Sequence, residues 1–167
     1  RIVNSFGPIA LNSVTVAFWG PDFNPLQLAG LDPNGALYAS GVTLYEDSLL
    51  VKEPGTSERT AFHQDMAYFH VTGQQVCTTW CPLDEVSLET GAVQYVRGSH
   101  LWTTEFKPNF FVSTATIPGT EGEDVPDVAA DPDKYDVVSF ETGPGDVVVH
   151  HARTIHGPQH RGHRGIV

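Results

Sequence analysis

Short β-prone segments separated by turn residues run through most of the chain, and they limit its possible folds more than any other feature. The segments lie at residues 14–18, 41–45, 48–51, 75–80, 92–96, 110–116, 137–140 and 146–150. The 16 Gly and 12 Pro suit strands and turns better than a helical bundle. We therefore expect a mainly β fold, an antiparallel sandwich or barrel with minor helical elements such as a short helix within residues 25–40.

The chain length of 167 residues fits one domain with a buried core, so we expect a single domain over residues 1–167. The sequence begins at Arg1 without an initiator methionine, so it can be part of a longer protein. Residues 119–136 differ from the rest because they are acidic and lack an apolar period. We expect a solvated surface loop there, with a lid over a site as the alternative.

The formal net charge of −11 excludes non-specific nucleic-acid binding, which needs an excess of basic residues. No run of 18 or more apolar residues is present, so the sequence predicts no membrane-spanning helix. We expect a cytoplasmic protein whose partner is a small molecule. The sequence leaves the oligomeric state open.

Two cysteines, Cys77 and Cys81, lie in one apolar segment. On a strand their Cα atoms would be roughly 13 Å apart, whereas a disulfide needs Cα atoms within about 7 Å. We therefore expect two buried free thiols, which agrees with a reducing compartment.

His63 and Asp65 flank a single residue, and side chains at positions i and i+2 of an extended strand point to the same side. A third candidate ligand, His156, follows an apolar strand far downstream. Two histidines and one carboxylate form the facial triad of non-haem iron(II) oxygenases, which leaves coordination positions open. Zinc competes for such a set, and a His-x-Asp pair by itself is more often an ordinary polar edge.

The residues around these candidates resemble the phytanoyl-CoA dioxygenase family from about residue 48 onward. The matching stretches are Lys52-Glu-Pro-Gly, Phe62-His-Gln-Asp, Val76-Cys-Thr-Thr-Trp, Gly91-Ala-Val-Gln-Tyr-Val-Arg-Gly-Ser-His and Gly145-Asp-Val-Val-Val-His-His-Ala-Arg-Thr-Ile-His-Gly. The resemblance implies a double-stranded β-helix, the jelly-roll or cupin-like fold. It also implies iron(II), 2-oxoglutarate and O₂ as cofactor and co-substrates, with His63, Asp65 and His156 as the metal ligands.

By this resemblance the reaction is hydroxylation of an unactivated C–H bond, with release of succinate and CO₂. Related halogenases lack the carboxylate ligand, so Asp65 favours hydroxylation, desaturation or ring formation over chlorination. The alternative function is a non-catalytic metal-binding domain of jelly-roll or cupin-like fold with a structural zinc. A metal-free β-sandwich interaction module is a second rival.

The family pairs the far carboxylate of 2-oxoglutarate with an arginine that follows the distal histidine, because a guanidinium binds a carboxylate through two hydrogen bonds. Arg164 is our first candidate and Arg161 the alternative, although both follow His156 more closely than the family pattern requires. This departure means either a shorter loop or residues missing between 157 and 163. The resemblance suggests three further co-substrate contacts, Gln64, Lys52 and Trp80, and a packing or surface role is the alternative for each.

The other histidines have simpler interpretations. We expect His100 to hold a turn, His70 to lie at the wet edge of an aromatic wall, and His151 to be either a core residue or a partner of a metal ligand. His160 and His163 are expected to be exposed. The substrate is not readable from family membership, and we favour a small neutral or cationic metabolite.

Overall fold

The computed structural model describes residues 11–19, 43–51 and 60–158, and these residues form a mainly β fold. The described residues contain seven strands: β1 Leu11–Trp19, β2 Thr43–Val51, β3 Val76–Pro82, β4 Val93–Val96, β5 Val137–Ser139, β6 Val148–His151 and β7 His156–Pro158. The helical elements of this part of the chain are three short 3-10 helices, at Asp65–Ala67, Ser99–Leu101 and Pro132–Lys134.

The strands form two antiparallel sheets, one with the order β2-β1-β3-β6 and the other with the order β5-β4-β7. From β3 onward the chain passes to the second sheet for β4 and β5, returns for β6 and crosses again for β7. A chain that alternates between two antiparallel sheets in this way is typical of a jelly roll. The expected mainly β fold with minor helical elements is confirmed.

The two sheets differ in how their strands are buried. β3 lies between β1 and β6, and six of its seven residues are buried. A strand with one exposed face would alternate buried and exposed residues, so this continuous burial indicates that both faces of β3 are covered. In contrast, Leu44, Leu49 and Leu50 of β2 are exposed.

A hydrophobic core lies beside the second sheet and fixes the position of β7. Val96, Phe106, Val128 and Ile155 form this core, and Phe62 and Trp102 pack against it among other partly buried residues. Because Ile155 is fully buried and immediately precedes β7, the core anchors the strand that begins at His156.

Most of the predicted strands are present, with two differences. Residues 41–45 and 48–51 contribute to one continuous strand, β2, and are not two separate strands. The strand predicted at 110–116 is wrong, because local hydrogen bonds fold this apolar segment into a turn: the Phe110 amide donates to the Ala115 carbonyl and the Ser113 amide to the Phe110 carbonyl. The helix predicted within residues 25–40 lies outside the described residues.

The acidic segment 119–136 is irregular and mostly exposed, but it is not wholly solvated. Val128 is only 2% exposed and belongs to the hydrophobic core, so this residue pins the segment to the domain. Its function as a lid stays a prediction.

Both cysteines are free, as predicted; Cys77 is buried as expected, whereas Cys81 is only half-buried, so the prediction of burial is wrong for Cys81. Within the described ranges, no helix is long and apolar enough to cross a membrane.

Candidate metal centre

His63 and His156 lie side by side on two neighbouring backbone segments. The His63 amide donates to the His156 carbonyl and the His156 amide donates to the His63 carbonyl, each at 2.9 Å. Their ring centroids are 4.3 Å apart. His156, the first residue of β7, is therefore paired directly with the backbone of His63.

The glycine that follows His156 makes this close approach possible. A Cβ atom on Gly157 would lie 2.9 Å from Cγ and 3.0 Å from Cα of Phe62, the residue before His63. Contacts this short force the backbone apart, so only glycine allows β7 to pack on Phe62. This packing explains why a glycine follows His156 in the Ile-His-Gly part of the motif.

Asp65 approaches the two histidines from the first residue of a 3-10 helix, so the extended geometry considered for residues 63–65 ends at Gln64. The chain turns after Gln64 because the Met66 amide donates to the Ala152 carbonyl at 3.0 Å. This turn directs the Asp65 carboxylate between the imidazoles. Its Oδ1 lies 3.5 Å from His63 Nε2 and 3.4 Å from His156 Nε2.

One ligand atom from each of His63, Asp65 and His156 lies within 4.8 Å of the other two, so the three side chains could hold one metal ion. His63 is 5% and His156 9% exposed, so the site is largely shielded from water. Two nitrogens and one oxygen are the donor set that non-haem iron(II) accepts, and zinc accepts it as well.

Backbone carbonyls fix the orientation of both imidazoles. His63 Nδ1 donates to the Ala61 carbonyl at 2.8 Å, and His156 Nδ1 donates to the Thr154 carbonyl at 2.9 Å. Because a carbonyl can only accept a hydrogen bond, the hydrogen of each neutral ring is on Nδ1. The lone pair of each Nε2 is then free and faces Asp65, as is usual for histidines that bind metals.

Two further side chains, to which the sequence analysis assigned no role, approach the outer oxygen of Asp65. Thr78 donates from Oγ1 to Asp65 Oδ2 at 2.6 Å, and His150 Nε2 lies 3.8 Å from the same oxygen. The two residues are direct partners across β3 and β6. The signal that could have revealed them is strand pairing, because facing residues on adjacent strands share one side of the sheet.

Tyr95 closes the buried side of the site. Its ring stacks on His156 with centroids 5.9 Å apart and contacts His150 at 5.1 Å. Its hydroxyl is buried and has no hydrogen-bond partner in the described part of the chain. Burial, and to a lesser extent the charge of Asp65, raises the pKa of this phenol, so it stays protonated.

The electrostatics of the centre favour an ionised carboxylate beside neutral imidazoles. Burial alone would raise the pKa of Asp65, but the neighbouring imidazoles, His156 first among them, outweigh it and hold that pKa well below its ordinary value. Burial lowers the pKa of His156 to about 3, although Asp65 opposes this shift. At neutral pH the His156 lone pair and the Asp65 charge are therefore both available to a cation.

The side of the site next to His63 is aromatic and partly exposed. Phe111 contacts the His63 ring edge-on with centroids 5.2 Å apart, and it stacks on Tyr68 at 4.8 Å. The Tyr68 hydroxyl makes hydrogen bonds with the backbone and side chain of Asn109, which fixes its position. Phe111 itself is 52% exposed, so this side faces the solvent.

The predicted co-substrate contacts are only partly within the described residues. Lys52, Arg161 and Arg164 lie outside them. Gln64 is buried, and its Nε2 donates to the Arg153 carbonyl at 2.6 Å. Trp80 is buried in the central strand β3. The contacts of all these residues with 2-oxoglutarate stay predictions.

His100 and His151 make contacts outside the metal centre. His100 belongs to the 3-10 helix Ser99–Leu101, and its ring lies 5.8 Å from that of His151. His151 contacts the Gln74 carbonyl through Nε2 at 2.8 Å and accepts from the Arg153 amide. His70 is exposed. His160 and His163 lie outside the described residues.

The chain is similar to known proteins in sequence and in structure. The family model described as phytanoyl-CoA dioxygenase (PhyH) matches residues 12–160. A probable alpha-ketoglutarate-dependent hypophosphite dioxygenase of Stutzerimonas stutzeri is 32% identical over 111 residues, which cover 65% of this chain and 37% of that protein. The crystal structure of the epimerase SnoN with Fe³⁺, alpha-ketoglutarate and nogalamycin RO is 28% identical, with a TM-score of 0.46, and the match covers 67% of this chain and 40% of that one.

Because the family model covers most of its length, the chain belongs to the phytanoyl-CoA dioxygenase family. The expected family is confirmed. The chain spans about two fifths of the length of the two relatives, at 37% and 40%. The activity of the whole protein is therefore a matter for proposal.

Proposed function

We propose that this chain carries the metal centre of an iron(II)- and 2-oxoglutarate-dependent oxygenase that hydroxylates a small molecule. The observation that carries the proposal is the convergence of His63, Asp65 and His156, whose ligand atoms lie within 4.8 Å of one another. Carbonyl bonds to both Nδ1 atoms leave both Nε2 lone pairs directed at this point. Family membership supports iron over zinc as the resident metal.

In this proposal the three side chains hold iron(II) on one face, so the opposite face stays open to small ligands. When bound, iron would bring 2-oxoglutarate and O₂ together and supply the oxidising chemistry for an unactivated C–H bond, with release of succinate and CO₂. The protein supplies the shielding and the orientation, since the ligands are almost completely buried.

The two sides of the centre suit different tasks. The exposed side, formed by Tyr68 and Phe111, offers stacked rings at the site entrance and is proposed to orient the substrate. Apolar aromatic walls with a few polar groups are typical of small-molecule sites. The buried side, with His150 and Tyr95, keeps bulk water from the metal.

The 2-oxoglutarate contacts are proposed from family resemblance. Arg164, with Arg161 as the alternative, would bind the far carboxylate, because its planar fork matches a carboxylate. Gln64, Lys52 and Trp80 complete the proposed co-substrate pocket. Gln64 would need its side-chain oxygen for this purpose, since its Nε2 is already bonded to the Arg153 carbonyl.

The substrate is proposed to be a small neutral or cationic metabolite, since a net charge of −11 disfavours anionic macromolecules. The relative from Stutzerimonas stutzeri is named for hypophosphite, a small anion. A substrate screen should therefore include inorganic oxyanions beside organic metabolites.

The alternative is a non-catalytic domain that binds zinc through the same three side chains. Release of CO₂ from 2-oxoglutarate labelled at C1, measured with the iron-loaded protein, separates the two. We expect oxygen-dependent CO₂ release that is lost in His63→Ala and retained in His70→Ala, the same change at an exposed histidine. Equal release by the wild type and His63→Ala would refute the metal assignment, and metal binding with no release would favour the zinc alternative.

A further inference from the structure

We propose that Thr78 is a positioning residue that keeps Asp65 bound to the metal through one oxygen and so reserves a coordination position for the 2-oxo acid. This inference rests on the proposed function. It concerns a residue of the central strand β3 that the motif His-x-Asp…His does not include.

The contact between the two residues is short and protected. Thr78 Oγ1 donates to Asp65 Oδ2 at 2.6 Å, and Thr78 is fully buried at 0% exposure. A hydroxyl bonded to a carboxylate at this distance is a charge-assisted hydrogen bond, which is stronger than a neutral one. The complete burial of Thr78 strengthens it further, because water cannot compete for its hydroxyl.

His150 does not provide a second donor to the same oxygen. Its Nδ1 lies 3.2 Å from the His151 carbonyl, so the hydrogen of the neutral ring is on Nδ1 and Nε2 is an acceptor. This Nε2 stands 3.8 Å from Asp65 Oδ2, beyond hydrogen-bonding distance. Among the described residues, Thr78 is therefore the hydroxyl that holds the outer oxygen of Asp65.

The two oxygens of Asp65 face different surroundings as a result. Oδ1 lies 3.5 and 3.4 Å from the Nε2 atoms of His63 and His156, where a shared metal would sit. Oδ2 is directed at Thr78. Because carboxylates bind cations through either one or two oxygens, the hydrogen bond to Oδ2 biases Asp65 toward binding through Oδ1 alone.

The number of protein ligand atoms decides which small ligands can bind. A six-coordinate metal with three protein atoms has three open positions, enough for a 2-oxo acid that chelates through two atoms and for one further ligand. If Asp65 bound through both oxygens, it would take one of these positions and compete with the chelate. The Thr78 hydroxyl would therefore act on co-substrate binding more than on metal binding.

Thr78→Val tests this inference because it removes the hydroxyl and keeps nearly the same shape. We would measure the dissociation constant of iron(II) anaerobically, and then that of 2-oxoglutarate from the visible absorption of its complex. We expect 2-oxoglutarate binding to weaken by roughly 10-fold or more, the usual size of such outer contacts, while the iron(II) constant stays unchanged or becomes tighter. Thr78→Ser should restore 2-oxoglutarate binding, because it restores the donor.

The matched control is Thr142→Val, since the Thr142 hydroxyl is buried and has no hydrogen-bond partner in the described residues. Both constants should stay at wild-type values in that variant. If Thr78→Val is too unstable to purify, Thr78→Ala carries the same expectation. Equal weakening of both constants, or no change in either, would overturn the inference; failure of the wild type to bind 2-oxoglutarate would instead overturn the proposed function on which it rests.

Discussion

His63 and His156 are joined by two reciprocal backbone hydrogen bonds, each of 2.9 Å, although most of the described chain separates them in sequence. The backbone itself therefore sets the distance between the two proposed nitrogen ligands. The side chains need only their Nδ1 bonds to the Ala61 and Thr154 carbonyls to present Nε2 to the same point. A metal centre built in this way is largely formed before the metal arrives.

A preformed centre should stabilise the protein when metal binds. We expect a saturating divalent metal to raise the unfolding free energy, by about 2.7 kcal/mol at a free concentration of 100 times the dissociation constant. His156→Ala and His63→Ala should each abolish this increase, because each variant keeps only two of the three protein ligands. Thermal unfolding with and without Co²⁺ or Mn²⁺ measures this metal-dependent stabilisation. A metal-dependent increase that survives in both variants would contradict the ligand assignment.

The metal-free protein should lose stability in acid because of His156. The pKa of His156 is about 3 in the folded state and 6.5 in the unfolded reference, so the unfolded chain binds a proton that the folded chain excludes. This contribution is complete above pH 6.5 and is lost as the pH falls from 6.5 toward 3. The slope is about 1.4 kcal/mol per pH unit for one such group.

Urea unfolding of the metal-free protein at several pH values through this window provides the measurement. Burial shifts the pKa of His150 in the same direction, so it adds to the slope. A variant with His156→Gln, which cannot take up the proton, should show a shallower dependence on pH. An identical slope in the variant and the wild type would show that His156 is not held neutral in the fold.

Tyr95→Phe should leave the stability unchanged or increase it. The Tyr95 side chain is buried and its hydroxyl has no hydrogen-bond partner in the described residues, so the substitution removes an unsatisfied polar group. Such groups cost about 1–3 kcal/mol. The control is Tyr68→Phe, which removes hydrogen bonds to Asn109 and should lower the unfolding free energy by about 1 kcal/mol. If Tyr95→Phe proves as destabilising as Tyr68→Phe, the Tyr95 hydroxyl must make a hydrogen bond in solution, which would contradict its unsatisfied state.

The two cysteines should react at very different rates. Burial raises the pKa of the Cys77 thiol to about 12, so its reactive thiolate is scarce at any moderately alkaline pH. Cys81 is half-buried and more accessible. A thiol-reactive dye should modify Cys81 first in the folded protein and both residues in denaturant, which peptide mapping would verify. Rapid modification of both in the folded state would contradict the burial of Cys77.

The sequence predicted much of the fold because its signals are local. The turn residues around β4 and β6 mark strand ends, and the β-branched and aromatic residues of β3 mark a buried strand. The prediction of a strand at 110–116 was wrong because the local signal of this segment is ambiguous. Its apolar residues are exposed in a turn closed by backbone bonds, and composition does not distinguish this turn from a strand.

Of the candidate site, the sequence predicted only the residues that belong to the motif. His63, Asp65 and His156 followed from residue type and family resemblance, but the 3-10 turn that aims Asp65 depends on a hydrogen bond from Met66 to the distant Ala152. The contacts of Thr78 depend on the register between β3 and β6. Such long-range pairings have no local signature in a single sequence.

The central claim is that His63, Asp65 and His156 hold an iron(II) ion with room for a chelating 2-oxo acid. Anaerobic addition of 2-oxoglutarate to the iron(II)-loaded protein tests it most directly, through the weak visible charge-transfer band of the complex. We predict a saturable band in the wild type and none in His63→Ala or in the zinc-loaded protein. Iron(II) that binds tightly but gives no band at saturating 2-oxoglutarate would contradict the claim.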